Sequence, residues 1–172
     1  MDLAYNHLVP AAFDANSRVW IYQSSRPFGF GEALQLEDIL NHFVQNWKSH
    51  GTPVKGFATL FFGRFIVLLA DESATGVSGC STDSSVRVIK EIETLFNVTL
   101  FDRQNLAFYI NNKIEALPLS QIQYAIDQNF LQANTPYFNN LVSTKQELLD
   151  NWIIPIGDSW LKNKIRLKNT IE

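Results

Sequence analysis

The segment Ser78–Arg87 has the composition best suited to chemistry in this chain. It combines the single cysteine, Cys80, with several hydroxyl side chains and an acid, and it lies where an amphipathic helix is expected to begin. The free N–H groups and positive dipole end of a helix start favour a bound anion, and they can raise the thiolate fraction of a cysteine. The sequence therefore predicts either an anion-binding or a thiol-dependent site here, and its candidate residues are Cys80, Ser81, Thr82, Asp83 and Ser84.

The same residues also have an ordinary structural interpretation. Serine, threonine and aspartate are common at helix starts because their oxygens cap free N–H groups. A lone cysteine is most often a small buried hydrophobic side chain. Both the capping role and the anion-binding or thiol-dependent role are hypotheses for this segment. In proteins generally, such residues at a helix start more often serve as caps.

An imidazole and two further carboxylates are expected near this segment. His50 follows the first predicted helix, and Asp71 and Glu72 follow the strand that precedes the cysteine. In the topology given below, these residues lie at one end of the fold with Cys80 and Asp83. A thiol, an imidazole and a carboxylate are the parts of a cysteine-based nucleophilic site, so the candidate catalytic set is Cys80, His50 and Asp83. No local signature around the cysteine identifies a hydrolase.

Other motifs exclude several classes of protein. The chain has no G-x-x-x-x-G-K-[ST] segment, so a P-loop nucleotide site is excluded. The glycines of Gly29–Gly31 lie between a strand and a helix, but Leu34 stands where a dinucleotide loop needs a third small residue. His7, His42 and His50 lack the spacing of zinc ligands. We therefore expect no cofactor and no metal.

The composition is that of a globular protein. The chain has 172 residues, of which 46% are hydrophobic and 18% charged, and this predicts a single domain. No apolar run approaches the ~20 residues that span a bilayer, and Met1–Pro10 does not resemble a signal peptide. The net charge of −3 does not favour nucleic acid or anionic lipid. We expect a cytoplasmic protein with no membrane partner, for which nucleic acid is an unfavourable ligand.

The end of the chain is basic. From Trp160 onward, Lys162, Lys164, Arg166 and Lys168 stand against a single acid. Four cations are few for nucleic-acid binding, so a frayed and solvated tail is expected over 161–172.

Hydrophobic periodicity predicts a strand, a helix and a hairpin in the first part of the chain. Arg18–Ser24 alternates aromatic and β-branched residues and predicts a strand. Glu32–Ser49 has one apolar face and predicts a helix. The apolar runs Phe57–Phe62 and Phe65–Ala70 flank the pair Gly63-Arg64, and a pair that begins with glycine predicts a hairpin with a type II′ turn.

The later part predicts a second helix, a second hairpin and two more helices. The second helix starts near Thr82 or Asp83 and ends at Asn97, a residue that tolerates the left-handed conformation. Leu106–Ile110 and Lys113–Leu117 flank two asparagines, which favour a I′-like turn. Of the last two helices, one runs from Ser120 to Phe130, and the other is capped by Ser143 with Gln146 three residues later.

The order strand–helix–strand–strand–helix–strand predicts an α+β two-layer sandwich. Its core would be a ferredoxin-like βαββαβ unit with a mainly antiparallel sheet in the order 4-1-3-2. The core would cover about 17–118, a helical extension about 119–160 and the basic tail 161–172. The alternative is an open sheet of parallel strands, against which the two hairpins argue.

Several segments resemble a family of short bacterial proteins that carry the label "ABC transporter ATPase". The resemblance extends from about Ser17 to Trp160, and Gly79–Asp83 is its most specific feature; the segments are SRVWIYQSSRPF, RFIVLLADES, SGCSTDSSVRVIKEIE, LFDR, FNNLV and WIIPIGDSW. The family has no established activity, so the resemblance implies none. The label implies ATP hydrolysis, but Leu68–Asp71, which imitates a Walker B strand, has no phosphate loop to accompany it. The residues therefore argue against an ABC-type ATPase.

The function predicted from the sequence is a non-enzymatic binding or protein-interaction module. Its basis is that strong catalytic and metal-ligand spacings are missing from the sequence. Self-association or another protein is the expected kind of partner, and either predicts an exposed apolar patch rich in aromatic side chains. The alternative is the anion-binding or thiol-dependent site around Cys80.

Overall fold

The computed structural model describes residues 2–71, 73 and 79–167, and for residues 79–81 it describes the backbone alone. The chain divides into two compact units. The first unit contains Asp2–Asp102 together with Asn140–Leu149, and the second contains Arg103–Asn139 together with the residues from Asp150 onward. Both combine helices with antiparallel sheet, which confirms the predicted α+β class.

The first unit consists of a three-stranded sheet, a small hairpin and two long helices. In chain order its elements are β1 (Arg18–Gln23), α1 (Phe30–Asn46), β2 (Lys48–Ser49), β3 (Thr52–Pro53), β4 (Lys55–Phe61), β5 (Phe65–Asp71) and α2 (Gly79–Phe96). The second unit and the returning segment contain β6 (Asn105–Ile110), β7 (Lys113–Pro118), α3 (Ile122–Asp127), β8 (Pro136–Phe138), α4 (Lys145–Asn151) and β9 (Ile153–Pro155).

The sheet of the first unit is antiparallel, with the order β1-β5-β4. Leu69 in the central strand faces Val19 on one side and Phe57 on the other. Every residue of β5 is buried, as its unbroken apolar run predicts for a strand covered on both faces. The helices cover one face, where Leu36 and Ile89 share a cluster with strand residues such as Leu68.

The other face of this sheet is covered by the N-terminal segment. The ring of Tyr5 packs edge-on against Phe61, with centroids 5.7 Å apart. The ring of Phe13 packs against Phe57 at 6.5 Å. Apolar side chains of residues 2–16 therefore bury strand positions that face away from the helices.

The ferredoxin-like sheet order is not confirmed. The strand β6 was predicted to pair with β1, but it pairs with β7 and β8 in the second unit. A short segment that precedes α4 lies beside β1 instead. Thr144 in this segment forms an isolated antiparallel β-bridge with Arg18, and the carbonyl of Ser143 accepts a hydrogen bond from the N–H of Val19. An alternating strand can pair in either sheet, so residues distant in sequence decided the choice.

Both predicted hairpins form, and one turn type was wrong. Phe62 and Gly63 both have positive φ angles, of 54° and 63°, so the β4–β5 turn is type I′ rather than II′. Asn111 and Asn112 have φ angles of 49° and 63°, and this confirms the I′-like turn between β6 and β7.

The ends of α1 differ from the prediction. It begins at Phe30 rather than Glu32, and a side-chain oxygen of Glu32 accepts the N–H of Gly29 at 2.7 Å. It ends at Asn46 rather than Ser49 because the chain turns into the β2–β3 hairpin. His50 lies in the turn of this hairpin with a φ angle of 50°.

The starts of the helices α2 and α4 also differ from the prediction. The helix α2 begins at Gly79, so Thr82 and Asp83 lie within it rather than at its cap. Its end at Phe96, followed by Asn97 with a φ angle of 50°, is as predicted. The N-cap of α4 is Thr144 rather than Ser143, because the Thr144 hydroxyl accepts the N–H of Glu147 at 3.2 Å.

The second unit has a four-stranded sheet in the order β7-β6-β8-β9. The strands β8 and β9, each of three residues, were missed within the predicted helical extension. The tail was expected to fray, but Leu161 is fully buried. The side-chain amide of Gln123 also accepts the backbone N–H of Arg166 at 2.8 Å and donates to the backbone carbonyl of Arg166 at 3.3 Å.

Among the helices of the described residues, none is both long and apolar enough to cross a lipid bilayer.

Candidate functional site

An open groove of about 560 Å3 lies between α1 and α2 in the first unit. Its lining residues lie on the facing surfaces of the two helices. On α2 they are Ser84, Arg87, Val88 and Glu91, which follow one another at helical spacing. On α1 they occupy the second half of the helix, from residue 38 to its end.

The floor of the groove is apolar and tightly packed. It is formed by Ile39, Phe43, Trp47 and Val88. Trp47 is only 2% exposed, and its ring lies 4.8 Å from that of Phe43 between centroids. A Cβ atom at Gly56 would come within 2.6 Å of the Trp47 ring, so the absence of a side chain at Gly56 lets the tryptophan pack closely against β4.

The rim of the groove is lined by charged side chains. Asp38, Lys48, Arg87 and Glu91 all line it and are all exposed. Within the described part of the chain, these four side chains make neither a salt bridge nor a hydrogen bond. His42 stands with them on the exposed side of α1. The rim thus offers charged groups of both signs to a ligand.

Two other groups of charged residues in the first unit have partners. The guanidinium of Arg26 forms a two-point contact with Glu32, at 2.7 and 2.8 Å, and donates to the carbonyl of Phe96 at 2.7 Å. The hydrogen bond from Arg26 is the main cause that lowers the pKa of Glu32 to about 2. This pair joins the start of α1 to the end of α2.

A second group of paired charges lies at the end of β5. The ammonium of Lys55 bonds the buried carboxylate of Asp71 at 2.6 Å and donates to the carbonyl of Ala12 at 2.8 Å. The hydrogen bond from Lys55, followed by those from Ser73, lowers the pKa of Asp71 well below its ordinary range. Asp71 is therefore engaged in a structural contact.

Lys145 adds to this group from α4. Its side chain is buried, and its ammonium donates to the carbonyls of Phe13, at 2.6 Å, and Ala11, at 3.1 Å. Together Lys55 and Lys145 bind three consecutive carbonyls of the N-terminal segment. These cations secure that segment to the sheet.

The residues of the predicted anion or thiol site are only partly described. Ser84 lines the groove, whereas Asp83 is exposed and Thr82 accepts the hydroxyl of Ser85 at 2.7 Å through its carbonyl. The side chains of Cys80 and Ser81 lie outside the described residues, as does Glu72. The anion-binding and thiol hypotheses therefore stay predictions.

His50 is exposed in the β2–β3 turn. The hairpin strand β2 contacts α2, so this turn belongs to the part of the unit where Lys48 and Ser84 share the groove. Its pairing with Cys80 stays a prediction, because the cysteine side chain is not described. Among the described residues, no three His, Cys, Asp or Glu side chains are grouped as a metal site requires.

Some apolar side chains are exposed, as the interaction hypothesis requires. Phe30 is 83% exposed and Leu34 51%, and they lie one turn apart at the start of α1. On α2, Leu95 is 54% exposed. Phe30 and Leu34 lie at the far end of α1 from the groove.

The sequence reasoning missed the groove itself. The only sequence pattern that could have indicated the groove lies in α1. There the polar residues Asp38, His42 and Asn46 follow one another at intervals of four, beside the apolar residues Ile39 and Phe43. That pattern is also normal for a solvated helix face. It borders a groove only because α2 lies opposite.

Comparisons with known proteins identify no relative. No protein family matches the chain, and no curated protein or solved structure matches it significantly.

Proposed function

We propose that this protein is a non-enzymatic binding module whose ligand occupies the groove between α1 and α2. One observation carries the proposal, namely an apolar floor surrounded by charged groups that have no partner among the described residues. Small-molecule sites share this design, since apolar surface supplies affinity and a few polar groups orient the ligand. Its volume of about 560 Å3 lies within the range of such sites.

The rigidity of the floor supports the same function. Trp47 is packed between Phe43 and Trp20, with ring centroids 4.8 and 6.1 Å away, and lies directly over Gly56. A floor that is already ordered loses little conformational entropy when a ligand binds. Binding energy is then available for affinity.

Three finer expectations are proposals that depend mainly on the sequence. The first unit is an incomplete ferredoxin-like fold, which the β1-β5-β4 order with α1 and α2 on one face supports. The chain belongs with the short bacterial proteins that it resembles. Its location is cytoplasmic, as its composition and its single cysteine favour.

Titration with indole, a neutral aromatic probe, tests the proposed site. Amide chemical shifts followed by NMR should change around Ile39, Phe43 and Val88, which line the floor. A His42→Trp variant places a large ring in the groove from an exposed position and should abolish those changes. The matched control is Gln45→Trp, at an exposed α1 position that does not line the groove.

The possible results separate the hypotheses. Shifts that disappear in His42→Trp but persist in Gln45→Trp support the groove. Shifts confined to Phe30 and Leu34 would instead favour a protein-interaction surface at the start of α1. If indole at high concentration moves no groove amide, the proposed site is wrong.

A further inference from the structure

The two helices that form the groove run in opposite directions. The ring of Phe28, just before α1, lies 5.5 Å from that of Phe96 at the end of α2. Lys48, just after α1, lines the groove together with Ser84 near the start of α2. The end of each helix therefore lies beside the start of the other.

This arrangement separates the rim charges by sign. Asp38 on α1 and Glu91 on α2 fall toward one end of the groove, while Lys48 and Ser84 fall toward the other. Arg87 lies between Ser84 and Glu91, and helical side chains lean toward the start of their own helix. Glu91 leans the same way and stays one turn from Arg87, so Lys48 marks the basic end of the groove, Asp38 and Glu91 mark the acidic end, and Arg87 lies between them.

The distance between the two ends follows from helix geometry. Ser84 and Glu91 are seven residues apart, and a rise of 1.5 Å per residue separates them by about 10 Å along the helix axis. An extended tripeptide spans about the same length between its charged termini. The apolar side chains of Phe43 and Val88 lie in the groove between these ends.

We propose that the groove binds an elongated zwitterion with an apolar middle, of the length of a short apolar peptide with free termini. This inference rests on the proposed function of the groove. The ammonium lies beside Asp38 and Glu91, and the carboxylate lies beside Lys48 and Arg87. The apolar middle covers the floor at Phe43 and Val88.

Ligands of other charge types fit this groove less well. An anionic ligand of the same length would bring negative charge to Asp38 and Glu91. A wholly apolar ligand of that length would remove water from the rim charges without giving them partners, and this is unfavourable. The zwitterion satisfies both ends at once.

Four forms of one tripeptide test the inference. The peptide alanyl-phenylalanyl-alanine, its N-acetylated form, its C-amidated form and the doubly blocked form are titrated at neutral pH, with dissociation constants taken from NMR shifts. The free peptide should bind most tightly. Each block should weaken binding by about threefold to fivefold, the scale of a partly exposed ion pair, and added salt should reduce the difference.

Two charge-reversal variants identify which end binds which terminus. Glu91→Lys should remove the preference for a free amino terminus, and Lys48→Glu should remove the preference for a free carboxylate. The matched controls are Glu37→Lys on α1 and Lys90→Glu on α2, because both residues are exposed and neither lines the groove. These controls should keep both preferences.

The outcomes distinguish this inference from the proposed function. Equal affinity for all four peptides overturns the zwitterion inference, and so does the absence of peptide binding. In either case the proposed function stands if indole still perturbs the groove amides and His42→Trp still abolishes that effect. If indole also leaves them unperturbed, both are wrong.

Discussion

Two regions of the first unit use charged side chains in opposite ways. At the end of β5, Lys55, Asp71 and Lys145 are all engaged in short hydrogen bonds, and Asp71 and Lys145 are buried. At the rim of the groove, Arg87 and Glu91 are exposed and have no partner within the described residues. One region stabilises the unit, and the other remains available to a ligand.

The physical reason for the difference is the cost of burial. A charge removed from water requires a partner, and Asp71 meets this requirement through Lys55 and the N–H of Ser73. A charge at the mouth of a groove stays hydrated until a ligand arrives. Stability measurements should therefore respond strongly to the first region and weakly to the second, whereas binding measurements should do the reverse.

The largest effect should come from the floor of the groove, which belongs to the stabilising part of the unit. Gly56→Ala places a Cβ atom against the ring of Trp47 and should lower the free energy of unfolding by about 2 to 3 kcal/mol, since a packed core does not admit the atom without shifting. Urea unfolding measures the change.

The control for this change is Gly31→Ala. Its Cβ atom would meet nothing within 4 Å, and it lies inside α1, so it should add up to about 1 kcal/mol of stability. If Gly31→Ala lowered the free energy of unfolding as much as Gly56→Ala, the contact with Trp47 would not explain the loss of stability.

An intermediate effect should come from the paired region. Lys55→Met leaves the buried carboxylate of Asp71 without its strongest donor, and should lower the free energy of unfolding at pH 7 by about 2 kcal/mol. The lysine is half exposed, so a larger loss is not expected.

The pH dependence of this loss has a definite sign. The folded pKa of Asp71 lies below the ordinary value of 3.8, so its stabilisation is present above about pH 4 and is lost as the pH falls through the folded pKa. The gap between Lys55→Met and the unchanged protein should therefore narrow below about pH 4. Urea unfolding at pH 7, 5 and 3 measures it, and a gap that stays constant would mean that the ion pair is not its cause.

The smallest effect should come from the rim. Arg87→Gln and Asp38→Asn should each change the free energy of unfolding by less than about 0.5 kcal/mol, because these exposed side chains have no partner in the described structure. The same variants should weaken binding in the groove. A loss of stability as large as that of Lys55→Met would place the rim with the structural charges and undermine the comparison.

The sequence predicted local features well because local features depend on neighbouring residues. The apolar run of β5 predicted a strand covered on both faces, and Asn97 predicted the end of α2. The exact starts of helices were less predictable. The helix α2 begins at Gly79 rather than near Thr82 or Asp83, and Thr144 caps α4 although the adjacent Ser143 is an equally good capping residue.

The candidate site was predicted less well than the fold class. The composition around Cys80 indicated a site at the start of α2, and among its described candidate residues Thr82, Asp83 and Ser84, only Ser84 lines the groove. Asp71 was expected beside a nucleophile, yet its carboxylate is bound by Lys55 from the neighbouring strand β4. Such a contact between strands is not visible from residue spacing along one of them.

By itself, the sequence determined the α+β class, both hairpins and the amphipathic faces of α1 and α2, since these follow from the periods of helix and strand. The tertiary structure alone decided that β6 pairs with β8 rather than β1 and that the polar face of α1 borders a groove. The reason is that a pattern along the chain specifies which side of an element is buried but not which distant element buries it.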